Sequence, residues 1–176
     1  MLLNEMNIIS RMKYRIRHSF VLLVSLAGLF FMSSCSNNDC PLSNIVRCYY
    51  RFYHSGTGQP ASCPDTVSVC IHDSILLNKI VNGNSFNLPM SYSEEEDTIH
   101  ILFENSAGRT ISSFILSHSN IPHYESLECG TSFFHKISGV TLLPSSTPSP
   151  IDSIVISQPD VNYNKNENIR IYLSLP

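Results

Sequence analysis

Beyond Ile45 the apolar residues recur at every second position, in runs too short to bury a helix face, and this period sets the fold class. In Thr98–Glu104, Ile99, Ile101 and Phe103 fall on one face while Thr98, His100 and Glu104 fall on the other. Strand side chains point alternately to opposite faces, so such a run is a half-buried strand. Ile45–Tyr53 has the same pattern: Val46, Cys48, Tyr50 and Phe52 share one face, with Arg47 and Arg51 opposite beside Ile45, Tyr49 and Tyr53. The loop His54–Pro60 breaks it, and Asp65–Ile71 resumes with Val67, Val69 and Ile71 together, which reads as a hairpin of the two segments.

Further strands are expected at Thr110–His118, paired back on Thr98–Glu104 through the turn Asn105–Arg109 and bounded by Pro122, and at Ile151–Ser157 and Ile169–Leu175. Short apolar stretches also include Leu88-Pro89-Met90, Tyr124–Leu127, Phe133, Phe134, Ile137, Val140 and Leu142. Asp73–Gly83 fits either a short helix or a strand ending in an Asn82-Gly83 turn, and the strand is the better reading. Pro144–Pro150 is a stiff connection inside the domain. Many short strands and almost no helical period imply an all-β, antiparallel β-sandwich, immunoglobulin-like or related.

Ahead of this domain, Arg11, Lys13, Arg15 and Arg17 precede the apolar run Phe20–Met32 and then Ser33-Ser34-Cys35. A basic segment, a short apolar segment and a small-residue site form a helical export signal, and the run falls well short of the ~20 residues that span a bilayer. Met32-Ser33-Ser34-Cys35 resembles the lipobox of bacterial lipoproteins, in which the cysteine becomes the lipidated first residue. The chain therefore divides into a lipoprotein signal peptide, 1–34, a lipidated tether, 35–44, and a sandwich domain, 45–176. Removing 34 of the 176 residues leaves 142, enough for one domain. It takes four of 11 basic and one of 14 acidic residues, so the remainder is near −6. An acidic domain without a Lys/Arg cluster in its sequence argues against nucleic acid and against binding anionic lipid by charge. The membrane contact is acyl chains of the palmitate type on Cys35.

The order of segments resembles a family of small lipoproteins from Gram-negative gut bacteria that carries a domain of unknown function. The resemblance rests on Ser33-Ser34-Cys35, Cys40, Asp65-Thr66-Val67, Leu88-Pro89-Met90, Glu128-Cys129-Gly130, Ile151–Ile156 and Asn168–Leu173. It implies a β-rich exported lipoprotein and implies no activity.

With Cys35 acylated, Cys40, Cys48, Cys63, Cys70 and Cys129 remain, an odd number in an oxidising compartment. Cys63 and Cys70, if extended, stand roughly 20 Å apart, beyond disulfide reach. Cys48 and Cys70 lie on mismatched faces of the expected hairpin. Cys40 with Cys129 closes a long loop and pins the tether, so it is the preferred bridge, with a free thiol among Cys48, Cys63 and Cys70. Neither Cys63, Cys70 and His72 nor His118, His123 and His135 has zinc-motif spacing, and no metal or cofactor is expected. The run Glu94–Asp97 lacks the pattern of a calcium loop and reads as solvated. Asp65-Thr66, Asp73-Ser74, Asp97-Thr98 and Asp152-Ser153, each followed by an aliphatic residue, resemble the O-glycosylation sites of some gut bacteria. Equally, they are turn aspartates before strands.

No Gly-x-Ser-x-Gly elbow, phosphate loop or reactive-cysteine context is present, so catalysis is not favoured. The expected role is a lipoprotein of the outer membrane, on its periplasmic or outer face, binding an envelope protein or a glycan. The absence of Trp weakens the glycan version and leaves Tyr49, Tyr53 and Tyr124 as stacking surfaces. A structural envelope-assembly lipoprotein and a hydrolase with an unrecognised site are the alternatives.

Overall fold

The alternation in Thr98–Glu104 becomes the middle of β5 (Glu96–Asn105), paired in register with β6 (Gly108–His123) from Asn105↔Gly108 to Glu96↔Ser117. The turn between them closes where Asn105 Oδ1 accepts the Ala107 N–H at 2.8 Å and Gly108 takes a φ of +146°, a value that favours glycine. The computed structural model describes residues 45–63, 65–71, 74–126, 129–145 and 148–174, so the leader, Cys35, Cys40, His72, Asp73, Glu128 and Leu175 lie outside it.

The other strands are β1 (Arg47–His54), β2 (Thr66–Ile71), β3 (Ser74–Ile80), β4 (Ser85–Pro89), β7 (Ser132–Leu142), β8 (Ile151–Ile156), β9 (Asp160–Val161) and β10 (Ile169–Leu173). There is no helix among the described residues. A six-stranded sheet runs β3-β2-β5-β6-β7-β9 and a four-stranded sheet runs β4-β1-β10-β8. The fold is thus the expected all-β sandwich. Its ladders are antiparallel except one, since β1 lies parallel to β10. A parallel pair needs a long crossover, and here almost the whole domain supplies it.

The expected hairpin of Ile45–Tyr53 with Asp65–Ile71 does not form: β1 pairs β10 and β4, whereas β2 pairs β3 and β5 in the other sheet. Each segment alternates as expected, and alternation carries no information about the partner. Asp73–Gly83 adopts the strand reading, as β3. Asn82 has a φ of +51°, and a Cβ on Gly83 would meet Ile80 Cγ2 at 2.7 Å, so this Asn-Gly pair turns the chain from one sheet to the other. Pro122 lies inside β6 instead of bounding it. Past Ser117 the strand has lost β5 as a neighbour and keeps only β7, so an edge residue without an N–H is tolerated.

The inward faces make one core. Cys48, Tyr50 and Phe52 of β1 and Ile169, Ile171 and Leu173 of β10 pack against Val67, Val69, Ile99, Ile101, Phe103, Phe114 and Leu116. Tyr50 stacks on Phe86 at 4.8 Å and meets Phe114 of the opposite sheet at 6.3 Å. A register shift between Ser117 and His118 leaves Ser138 as an extra residue in β7. The shift moves the buried set of β7 to Ile137 and His135, and it delivers polar side chains to one end of the core.

Candidate functional site

At that end Asp97, His118 and His135 are each buried, at 1%, 3% and 3% exposure. Asp97, the second residue of β5, has the parity of Ile99 and Ile101, so the ladder itself carries it inward. The reading of Glu94–Asp97 as one solvated run therefore holds for Glu94, Glu95 and Glu96 and fails for Asp97. Asn120 joins the two imidazoles: its Oδ1 lies 3.0 Å from His118 Nδ1 and 2.7 Å from His135 Nδ1, while its Nδ2 donates to the Glu94 carbonyl at 2.7 Å. That donation orients the amide, so Oδ1 accepts from both rings and both carry their proton on Nδ1. The His118 backbone N–H donates to the Glu95 carbonyl at 2.8 Å, and the Ser91 N–H donates to Asp97 Oδ2 at 3.1 Å. The acidic loop is in this way strapped across the end of the sandwich.

His118 Nε2 approaches Asp97 Oδ2 at 3.3 Å, within ion-pair reach but without hydrogen-bond alignment. The rings of His118 and His135 meet edge to face at 5.2 Å. Burial first, and then the neighbouring His118 charge, pushes His135 down to about 4 against the opposing pull of Asp97, so it is neutral near pH 7. Among the described residues no Ser, Thr or Cys side chain is hydrogen-bonded to either ring of the cluster, and its bonds join strands and loop. The arrangement does the work of a structural clamp.

A different chemistry is displayed on the outer face of the four-stranded sheet. Arg47, Tyr49, Arg51 and Tyr53 alternate along β1, and the parallel register sets Arg51 opposite Arg170 and Tyr53 opposite Tyr172. On the other flank Tyr49 faces Asn87 and Arg51 faces Ser85. Tyr53 donates from its hydroxyl to Glu167 Oε2 at 2.7 Å, Arg170 Nε donates to Glu167 Oε1 at 2.6 Å, and the Arg170 guanidinium sits 5.1 Å over the Tyr53 ring. Partial burial works to raise the Glu167 carboxyl, and those two hydrogen bonds overcome it and hold the group below its usual range. A recess of about 200 Å³ joins Tyr49, Arg51, Ser85, Lys165 and Glu167. Four of the seven cations beyond Ile45, namely Arg47, Arg51, Lys165 and Arg170, thus gather on one face of an acidic domain. Glu167 is the acid that pairs with Arg170 on this face.

Residues 65–173 match a family of unknown function, DUF6452. The chain belongs to this family. No curated protein and no solved structure matches it. The DUF6452 match begins at β2 and leaves out β1, although β1 sits between β4 and β10 and carries four of the six Arg and Tyr side chains of that face.

Of the residues singled out in the sequence, Cys35, Cys40 and His72 lie outside the described residues. Cys48, Cys63 and Cys70 carry free thiols. Cys129 accepts a hydrogen bond from Ser126 Oγ at 3.3 Å. Burial pushes the Cys48 thiol up to about 12 and the Cys63 thiol up to about 11. His118 and His135 come together, but His123 stacks on Phe134 at 4.0 Å and pairs with Glu125. No cluster of three metal-binding side chains occurs among the described residues. Tyr49 and Tyr53 share a face, and Tyr124 lies just past the end of β6 in the other sheet. Sequence reasoning missed Arg170, Lys165 and Glu167 as members of one surface, and it missed Asp97 and Asn120. The parity of β5 was the available signal for Asp97.

Proposed function

We propose that this DUF6452 chain is an exported lipoprotein of the Gram-negative envelope, held to the outer membrane by acyl chains on Cys35, and that its sandwich works by contacting an envelope partner. The observation that carries the binding role is the segregation of Arg47, Arg51, Lys165 and Arg170, with Tyr49, Tyr53 and Tyr172, on one open sheet face. A rigid sheet presenting Arg and Tyr offers polar and stacking contacts at low entropic cost. The anchor rests on the leader and on Ser33-Ser34-Cys35, which leave a short link before β1. Among the described residues no helix is long and apolar enough to cross a membrane.

A bridge between Cys40 and Cys129 belongs to the same reading. What supports it is elimination, because Cys48, Cys63 and Cys70 are free thiols and Cys129 is not one of them. The test is cell fractionation with intact mass of the purified chain. Wild type is expected in membranes with added acyl mass, Cys35→Ser in the soluble fraction without it, and a Cys40–Cys129 peptide in a non-reducing digest. A membrane-bound Cys35→Ser chain or an unmodified wild-type mass would overturn the anchor, and recovery of Cys40 as an alkylated thiol would overturn the bridge.

A further inference from the structure

Arg51 and Arg170 stand directly opposite on neighbouring strands, and like charges so placed repel. Arg170 is answered within the chain by Glu167, which it shares with the Tyr53 hydroxyl. Arg51 feels the Glu167 charge only at longer range, with no hydrogen bond or ion pair to it. Neither its side chain nor that of Lys165 makes a hydrogen bond or ion pair among the described residues. Both line the recess of about 200 Å³ beside Tyr49 and Ser85. Glu167 also borders this recess, but its two oxygens are already held by Tyr53 and Arg170.

We propose that this recess binds a carboxylate-bearing sugar, a uronic-acid unit of an acidic glycan, a substrate class that rests on the binding-module reading above. Arg51 and Lys165 take the carboxylate, Tyr49 offers its ring to the apolar face of the sugar, and Ser85 meets a hydroxyl. The Arg170–Glu167–Tyr53 group at its rim already shows how this face holds a carboxylate. An arginine fork matches a planar carboxylate. The Glu167 charge on the rim disfavours a dianionic phosphate. The volume is below the ~300 Å³ at which drug-sized pockets begin, so one ring fits and the polymer continues across the open sheet.

The test is titration calorimetry of the full chain in detergent with oligogalacturonate, its methyl-esterified form, inorganic phosphate and polyglutamate. Oligogalacturonate alone is expected to bind, more weakly at higher salt, because the contact is exposed and screened. Arg51→Gln and Lys165→Gln are each expected to weaken it roughly tenfold, the size of one lost charge-assisted hydrogen bond. Arg51→Lys, which keeps the charge and loses the fork, should fall between. These are surface changes, and an unchanged thermal transition verifies the fold. No binding, binding indifferent to both Gln variants, or equal binding of the ester, phosphate or polyglutamate would overturn the proposal. Cross-links from the anchored chain to envelope components that persist in the Arg51→Gln, Lys165→Gln variant would overturn the uronate site while leaving the envelope-contact reading intact.

Discussion

Asn168 and Tyr49 exchange two hydrogen bonds across 119 positions of sequence: the Tyr49 N–H donates to Asn168 Oδ1 at 3.0 Å, and the Asn168 N–H donates to the Tyr49 carbonyl at 2.9 Å. The side chain acts as a further rung, extending the parallel β1–β10 ladder by one position. Its Nδ2 also donates to the Gln158 and Asp160 carbonyls at 3.0 and 3.1 Å, and the residue is 1% exposed. Asn168→Ala leaves the Tyr49 N–H and the Gln158 and Asp160 carbonyls without this partner at part-buried positions, and an unmade buried group costs ~1–3 kcal/mol at most. We expect a loss of about 3 kcal/mol, read as a lower denaturant midpoint at unchanged slope. A loss within ~0.5 kcal/mol, the range of an ordinary surface substitution, would show that water replaces the rung.

His135 gives the domain an acid-sensitive term. Its folded value of about 4 lies below the ordinary 6.5. Between these values only the unfolded chain takes up the proton, so stability falls as pH drops from about 6.5 towards 4. The effect is at most about 3 kcal/mol, and solvent screening reduces it. His135→Gln keeps a donor for Asn120 and should be less stable than wild type near neutrality, yet with a shallower decline over that window. Equal slopes in urea titrations of the two proteins would contradict the assignment.

The three free thiols should differ in access. Cys48 and Cys63 are buried and their thiols are pushed up, whereas Cys70 is half-buried on β2. Alkylation of the native protein at about pH 8 should label Cys70 first, because the thiolate is the reacting form and the other two are shielded. Cys48 and Cys63 should react only in denaturant. Prompt native labelling of Cys48 would mean that the β1 core opens locally.

A fragment starting at Asp65, where the family match begins, should not fold cooperatively. It lacks β1, which hydrogen-bonds both β4 and β10 and contributes Cys48, Tyr50 and Phe52 to the core. Without it β4 loses its strand partner and the apolar side chains Phe86 and Leu88 are uncovered. A sigmoidal, reversible thermal transition of the fragment would refute this, and wild type from Ile45 is the control.

The period-two runs, taken alone, determined that the chain is β, which side chains of β1, β5 and β10 face inward, and that β5 folds back on β6. Those are local properties, because alternation and an Asn/Gly turn act within a few residues. Only the tertiary structure decided that the first and last strands lie side by side, since a strand's pattern is the same whichever partner it meets. The same pairing created the Arg51↔Arg170 opposition and brought Lys165 and Glu167 to it from far along the chain. The clamp of Asp97, His118, Asn120 and His135 needed a bulge to change the parity of β7, and a shift in register leaves no signature in hydropathy. Proximity between residues distant in sequence is a property of how strands pair, and pairing is settled by core packing across the two sheets.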